Sequence, residues 1–202
     1  MLCDAGSGTF QAIAAVTEPA SLDAVVLSHL HPDHCSDLFA LLQYVVLSNG
    51  HDVSTDVRRI DVYAPPGSAD RLAAFLGAGP DHSLFKVFRF HDAAPGKVFA
   101  IGRLAMEFAV TVHSTPTVAT RFQSEDGTLV YTGDTGPSTD VERLASNVDV
   151  LLCEASLEED APPFPFHLTA AQAGSLAAAA GAGRRGSPAA IPDRSGSGRR
   201  IP

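Results

Sequence analysis

The sequence lacks tryptophan altogether and has only three cysteines and two methionines among its 202 residues. Cys3, Cys35 and Cys153 form no CxxC pair, and the first residues do not have the pattern of a signal peptide. We therefore expect reduced thiols in the cytoplasm, which excludes a secreted scaffold held by disulfide bonds. No apolar run reaches the ~18 residues that a membrane-spanning helix needs, so we do not expect a membrane protein either.

Basic residues are scarce outside the last part of the chain. The formal net charge is −9 at pH 7, yet residues 181–202 hold five of the fourteen lysines and arginines and a single aspartate. That segment carries +4, which leaves −13 on residues 1–180. This balance argues against a broad basic surface for long nucleic acid, whereas a small or metal-clamped anion is compatible with it.

Both ends of the chain depart from the pattern of a complete domain. Residues 1–8 (MLCDAGSG) have the pattern of the end of a buried strand and a glycine-rich turn, so we expect earlier strands to be missing. Residues 181–202 consist mainly of Gly, Arg, Ser, Pro and Ala, which fits either a disordered tail or a shifted reading frame of a GC-rich gene. We predict a folded domain over residues 1–180 and such a tail over residues 181–202.

Between these ends, strand patterns alternate with helix patterns. Short apolar or alternating runs predict strands at residues 24–28, 60–63, 98–101, 104–112, 120–123, 128–132 and 148–153. Longer apolar runs predict helices at residues 37–48 and 68–76, and a capping box that begins at Thr169 predicts a third helix from residue 170. Strands paired by hairpins and interleaved with helices indicate an α/β layered domain.

A dense group of metal-binding residue types follows the first buried strand. Within SHLHPDH, His29 and His31 project to the same side because side chains alternate along an extended chain. The turn at Pro32 then brings Asp33 and His34 toward the same space. Neutral imidazole and carboxylate suit Zn²⁺ and related divalent ions. A single histidine is usually an ordinary core or surface residue, but four ligand types so closely spaced indicate a metal site.

This segment resembles the HxHxDH signature of the metallo-β-lactamase superfamily. The resemblance implies an αβ/βα sandwich around one or two divalent metal ions, zinc above all, with manganese as the alternative. It extends to residues 2–8, to His113 in VHSTPT and to Asp134 in YTGDTG. By the resemblance, one metal would be held by His29, His31 and His113 and the other by Asp33 and His34, with Asp134 bridging the two.

A second pair of residues resembles the RNase Z-like branch of that superfamily. His167 follows PPFPF, which cannot form a central strand because proline lacks the ladder donor, and it lies two residues before Thr169. The branch has a histidine in this context as general acid and a glutamate that orients it, a role that Glu154 in LLCEAS matches. A helix-capping or surface histidine and a surface glutamate are the ordinary alternatives. The family's last metal-binding histidine has no counterpart, because the tail stands at that position.

The resemblance also implies a mechanism. Two metal ions would activate a shared water, Asp33 would orient it or accept its proton, and His167 would donate a proton to the leaving group. Other candidates are given ordinary roles: Cys35 is assigned to the core, and His51, His82 and His91 are assigned to exposed polar loops.

Substrate class separates the hypotheses. Relatives that process tRNA 3′ ends carry an RNA-binding arm, commonly between the positions that match His113 and Asp134. Here these two residues are only 21 positions apart, which leaves no room for an arm. With the acidic body, this favours a small phosphodiester such as a cyclic nucleotide over RNA. The alternatives are a tRNA 3′-processing endoribonuclease, a β-lactamase or glyoxalase II-like thioester hydrolase, and a non-catalytic fragment. We expect no membrane partner, and the pattern leaves a homodimer open.

Overall fold

The computed structural model describes residues 1–50, 53, 58–162 and 164–183, and within them two β-sheets pack face to face with helices on both outer faces. The strands are β1 Leu2–Cys3, β2 Ala24–Val26, β3 Ile60–Ala64, β4 Phe88–Asp92, β5 Val98–Ile101, β6 Leu104–Val110, β7 Val118–Ser124, β8 Gly127–Tyr131 and β9 Val150–Leu152. The helices are α1 Thr9–Ala14, α2 Pro32–Cys35, α3 Asp37–Ser48, α4 Ser68–Leu76, α5 Ser83–Val87, α6 Thr139–Leu144 and α7 Ala170–Ala180. The predicted αβ/βα sandwich is confirmed.

The first sheet is parallel, in the order β1-β2-β3-β4, and successive strands are joined by helices, as parallel strands require. The central strands β2 and β3 are largely buried on both faces, whereas the edge strands β1 and β4 are only partly buried. Val25 and Leu27 point toward helices α3 and α4, whereas Ala24 and Val26 point toward the second sheet. Burying each such valine or leucine contributes roughly 1.5–3 kcal/mol, so this alternation fixes which side of β2 faces the helices.

The second sheet has the order β5-β6-β7-β8-β9 and is antiparallel except for the parallel pair β8 and β9. Met106, Phe108 and Phe122 fill the space between the two sheets. Val141 of α6 and Leu176 of α7 cover the outer face. Because β1 and β2 end at the same edge of the sandwich at which β6, β8 and β9 end, the loops after these strands meet there.

Several predicted elements are confirmed with little change. Helices α3 and α4 have the predicted bounds, and the capping box at Thr169 is present. Strand β2 is two residues shorter than predicted, although Leu27 still donates its N–H to the Tyr63 carbonyl at 2.8 Å. Cys35 lies in the core, as expected. Among the described residues, no helix is long and apolar enough to cross a bilayer.

Other elements were not predicted, and two histidine assignments were wrong. His82 is expected in an exposed loop, but it is half-buried and caps α5, where its Nδ1 accepts the Leu84 N–H at 3.1 Å. The sequence patterns missed helices α1, α2, α5 and α6 and strand β4. His91 was assigned to an exposed loop, but it lies in β4, half-buried, with its ring stacked on Tyr63 at 4.7 Å between centroids. The polar residues around His91 are typical of a loop, but pairing with β3 makes them a strand. The predictions for His51 and for residues 184–202 lie outside the described residues.

Candidate metal centre

Four side chains form the first of two adjacent positions at the strand ends. His29 follows β2, His31 precedes α2, His113 follows β6 and Asp134 follows β8. His31 Nδ1 lies 2.9 Å from His29 Nε2 and 3.1 Å from His113 Nε2. Asp134 Oδ2 lies 3.7 Å from His29 Nε2 and 3.8 Å from His113 Nε2. One ligand atom from each of the four residues lies within 4.8 Å of the others.

This donor set fits a divalent cation. Tetrahedral zinc with Zn–N bonds of about 2.05 Å would place its nitrogens roughly 3.3 Å apart, close to the separations of His31 from His29 and His113. Without a cation or a proton between them, the ring nitrogens turn lone pairs toward one another. A single proton on His31 can serve only one of its two neighbours, which leaves the other nitrogen unpaired. Three imidazoles and a carboxylate around one point therefore favour a metal ion.

Hydrogen bonds to the far side of two rings prepare them as ligands. The Nδ1 of His29 lies 3.0 Å from Ser28 Oγ, and the Nδ1 of His113 lies 3.2 Å from the Phe166 carbonyl oxygen. The Phe166 carbonyl can only accept, so it fixes the proton of His113 on Nδ1. The Ser28 hydroxyl donates to Asp4, so it can accept the Nδ1 proton of His29. In both rings, the Nε2 lone pair is then directed at the first position, as second-sphere partners of metal-binding histidines commonly arrange.

Three side chains form the second position. His34 Nε2 lies 3.4 Å from Asp134 Oδ1 and 3.5 Å from Asp33 Oδ2. Asp134 thus directs one carboxylate oxygen to each position, which is the arrangement of a bridging ligand. Asp33 differs from the rest because its side chain is 77% exposed. Among the described residues, this second position therefore has one ligand fewer and is more open to solvent than the first.

Asp4 supports the second position, a role that its sequence neighbourhood does not indicate. Its carboxylate accepts hydrogen bonds from the Ser28 N–H at 2.6 Å, the Ser28 hydroxyl at 2.7 Å, the Tyr131 hydroxyl at 2.6 Å and His34 Nδ1 at 2.6 Å. A proton on His34 Nδ1 leaves the Nε2 lone pair for a metal. Asp4 lies 30 residues before His34, so no local spacing signals their contact; its place at the end of a strand, beside a glycine-rich turn, was the available hint.

Close backbone packing explains why residue 6, two positions after Asp4, is a glycine. A Cβ on Gly6 would stand 1.7 Å from the Asp33 carbonyl oxygen, so only glycine fits. The neighbouring Ala5 donates its N–H to the His34 carbonyl at 2.7 Å and accepts from the Asp37 N–H at 2.7 Å. The turn after β1 therefore supports the backbone of the candidate ligands Asp33 and His34.

The pKa values reflect burial and crowding. Burial, followed by the neighbouring imidazoles, lowers the pKa of His29 to about 3, so this ring is neutral near pH 7 and free to ligate. The hydrogen bond with Asp4 raises the pKa of His34 above its ordinary value. Burial raises the pKa of Asp134. Protons and metal ions compete for the same lone pairs, which makes metal affinity dependent on pH.

The structure brings Glu154 and His167 together beside this centre. His167 Nδ1 lies 3.0 Å and 3.2 Å from the two Glu154 carboxylate oxygens. Glu154 also accepts the Thr135 N–H at 2.6 Å, which connects the pair to the loop of Asp134. An oxygen of Asp134 and one atom each of Glu154 and His167 lie within 4.8 Å of one another. All eight candidate residues therefore meet at one edge of the sandwich.

The chain resembles several known sequences. A sequence profile described as the Beta-lactamase superfamily domain matches residues 1–185. An uncharacterized protein of Mycobacterium tuberculosis is 33% identical over 186 residues, which cover 90% of this chain and 66% of that protein. A protein named Ribonuclease Z from Mycobacterium bovis is 29% identical over 165 residues, covering 75% of this chain and 58% of that protein. The chain thus spans less than two thirds of the length of these relatives.

Solved structures share the fold. The metallo-β-lactamase fold protein YhfI from Bacillus subtilis matches with a TM-score of 0.74 at 24% identity, over 90% of this chain and 70% of that one. Human tRNase Z, short form, matches with a TM-score of 0.69 at 21% identity, over 90% of this chain and 78% of that one. With the profile match over most of its length, the chain belongs to the metallo-β-lactamase superfamily and has RNase Z-like relatives.

Proposed function

We propose that the protein is a metal-dependent hydrolase of phosphodiester bonds and that its substrate is small, such as a cyclic nucleotide. The hydrogen-bonded pair of Glu154 and His167 beside the His/Asp cluster carries this proposal. A thioester hydrolase has less use for a proton donor at this place, because a thiolate leaves without protonation. The relatives named Ribonuclease Z support phosphodiester chemistry.

The candidate residues have separate roles in metal binding and in the activation of water. When bound, divalent metal ions would supply Lewis acidity and make water acidic enough to act as a nucleophile near neutral pH. His29, His31 and His113 would hold one ion, Asp33 and His34 would hold a second, and Asp134 would bridge the two, with zinc as the first choice and manganese as the alternative. Asp33 is exposed and faces the second position, where its carboxylate can orient the attacking water or accept its proton.

His167 would act as the general acid. With Nδ1 held by Glu154, a protonated His167 can donate from Nε2 to the leaving oxygen. The Glu154 carboxylate stabilises the imidazolium and fixes the plane of the ring, while the Thr135 N–H holds the carboxylate in place. Positioned proton transfer of this kind contributes roughly 10²–10⁴-fold to the rate.

Two features favour a small substrate over RNA. The whole interval between His113 and Asp134 is described, and strands β7 and β8 with their tight turn occupy most of it, so no arm projects there. Residues 1–180 carry a net charge of −13, which opposes the approach of a polyanion. A tRNA 3′-processing activity is the second candidate, favoured by the relatives named Ribonuclease Z.

Substitution of His167 tests the proposal through the leaving group. We expect His167→Ala to slow the hydrolysis of cyclic AMP to 5′-AMP by about 10²–10⁴-fold, because an alkoxide needs protonation as it leaves. The same variant should hydrolyse bis(p-nitrophenyl) phosphate within about fivefold of the unsubstituted rate, since nitrophenolate leaves without an acid. Metal content should stay unchanged. Equal losses on both substrates would contradict the general-acid role.

The choice between substrates has its own measurement. Release of 5′-AMP from cyclic AMP, with a tRNA precursor left intact, is the expected result. Cleavage of the tRNA precursor without hydrolysis of cyclic AMP would replace the first candidate by the second. If the chain binds metal but has neither activity, the result would favour the alternative that it is a non-catalytic fragment.

A further inference from the structure

An exposed aromatic ring lies next to the Glu154 and His167 pair. Phe164 is 49% exposed, and its ring is nearly parallel to the His167 imidazole, with an interplanar angle of 13° and centroids 5.8 Å apart. Phe166 meets Phe164 edge-on at 5.5 Å and 86°. Among the described residues, Phe164 and Phe75 are the two phenylalanines with large exposed surfaces. Phe164 is the one beside the candidate general acid.

The loop that carries Phe164 is fixed against the metal centre. A Cβ on Gly136 would stand 1.8 Å from the Pro165 carbonyl oxygen, so the loop rests directly on the backbone that follows Asp134. The Phe166 carbonyl accepts a hydrogen bond from His113 Nδ1 at 3.2 Å. The bond between His167 and Glu154 holds the end of the loop. Phe164 is therefore presented on a supported backbone.

We propose that Phe164 is the stacking platform for the nucleobase of the substrate. The inference rests on the proposed function and names what flanks the scissile phosphate. If His167 protonates the leaving oxygen, then the nucleoside that bears this oxygen lies beside the His167 ring. The Phe164 ring is next to that position and nearly parallel to the His167 ring. Stacking on an exposed aromatic face stabilises a bound nucleobase, and it depends little on which base is bound.

The chemistry of the neighbourhood favours a base over other groups. Phe164 and Phe166 offer aromatic surface, while the Glu154 carboxylate that is bonded to His167 would repel an additional phosphate. Stacking on an aromatic side chain typically changes affinity by about tenfold to 100-fold per base. The platform would therefore act mainly on the binding of the substrate and would leave the chemical step little altered.

Kinetics with and without a base test this role. We expect Phe164→Ala to raise KM for cyclic AMP by about tenfold to 100-fold with kcat within about threefold, and Phe164→Tyr to restore it. For ribose 3′,5′-cyclic phosphate, which lacks a base, both constants should stay within about threefold of the unsubstituted protein. An equal loss on both compounds would mean that Phe164 only supports His167, and no loss on either would mean that the base binds elsewhere. Both results overturn the proposal.

Fluorescence provides a test that needs no turnover. The chain has no tryptophan, so Phe164→Trp introduces a single reporter. Stacking of the base should quench its emission when 5′-AMP is added to the metal-loaded protein, whereas ribose 5-phosphate should not. The matched control is Phe75→Trp, because Phe75 is 76% exposed and stacks on Phe39 in a different part of the molecule.

The two readouts separate the platform from the proposed function. Quenching at position 164 by 5′-AMP alone, in a protein that does not hydrolyse cyclic AMP, would support the platform and reject the hydrolase activity. Absence of quenching, or equal quenching by ribose 5-phosphate, would overturn the platform even if the protein hydrolyses cyclic AMP.

Discussion

The two candidate metal positions share Asp134 but are built very differently. The first is lined by His29, His31, His113 and one oxygen of Asp134, and the side chains of His29 and His113 are 0% and 2% exposed. The second has His34, the other oxygen of Asp134, and Asp33, which is 77% exposed. One position is thus a nearly closed cage of nitrogens, and the other is a half-open set of mainly carboxylate oxygens.

This difference predicts higher metal affinity at the first position and easier access of water and substrate at the second. Ligands fixed by burial and by outer hydrogen bonds lose little freedom when a cation binds, which favours tight binding at the first position. The second position depends on a solvent-exposed carboxylate and on Asp4, which holds His34 from behind. An open coordination sphere leaves room for water and substrate. We therefore expect the first position to anchor a metal and the second to exchange it more readily.

The largest effect should come from removing the residue at the centre of the first position. His31→Ala deletes the nitrogen that lies near both His29 and His113, so we expect the tight metal to be lost and phosphodiester hydrolysis to fall by roughly 10³-fold or more. Metal analysis after dialysis and a rate measurement check this result. The matched control is His82→Ala, which removes a histidine that caps α5. Persistent hydrolysis in the His31 variant would contradict the metal-site assignment.

Removal of His34 should affect only the second position. We expect His34→Ala to retain the tight metal and to lower hydrolysis by about 10²-fold, since Asp33 and Asp134 are then the remaining protein ligands described there. Metal content per chain, measured beside His91→Ala, checks the prediction. His91 also bonds a carboxylate, that of Asp61, but away from the centre. Loss of the tight metal in the His34 variant would show that the two positions are one coupled site.

A smaller effect should follow from substitution of the carboxylate behind His34. Asp4→Asn removes the charge to which His34 Nδ1 donates, so we expect metal affinity at the second position to fall by about tenfold to 100-fold while the first is unchanged. Calorimetric titration measures both affinities. Asp61→Asn is the control, because Asp61 holds His91 through an equivalent bond of 2.7 Å. An unchanged second affinity would mean that His34 needs no support from Asp4.

The sequence predicted the parts of the fold and site that are local in the chain. Helices α3 and α4 could be placed because each has an apolar run that is too long for a strand. The candidate ligands from His29 to His34 could be proposed because they lie within a span of six residues. In contrast, His113 and Asp134 were identified only through the resemblance to a family, because a single histidine or aspartate has no distinctive pattern.

Contacts that form only after folding could not be predicted. Asp4 reaches Ser28, His34 and Tyr131 because β1 and β8 end at one edge of the sandwich, and its sequence neighbourhood does not indicate these partners. Strand β4 was missed because its short pattern depends on pairing with β3. The distance between Glu154 and His167 depends on the loop that packs on Gly136, which no spacing rule gives.

Titration of the metal-free protein with Zn²⁺ tests the account most directly. Calorimetry should resolve two binding steps, a tight first step of one ion per chain and a weaker second step, with the first step absent in His31→Ala and retained in His34→Ala. A tight first step that survives His31→Ala, or a protein that binds no zinc at all, would contradict the assignment of the metal centre.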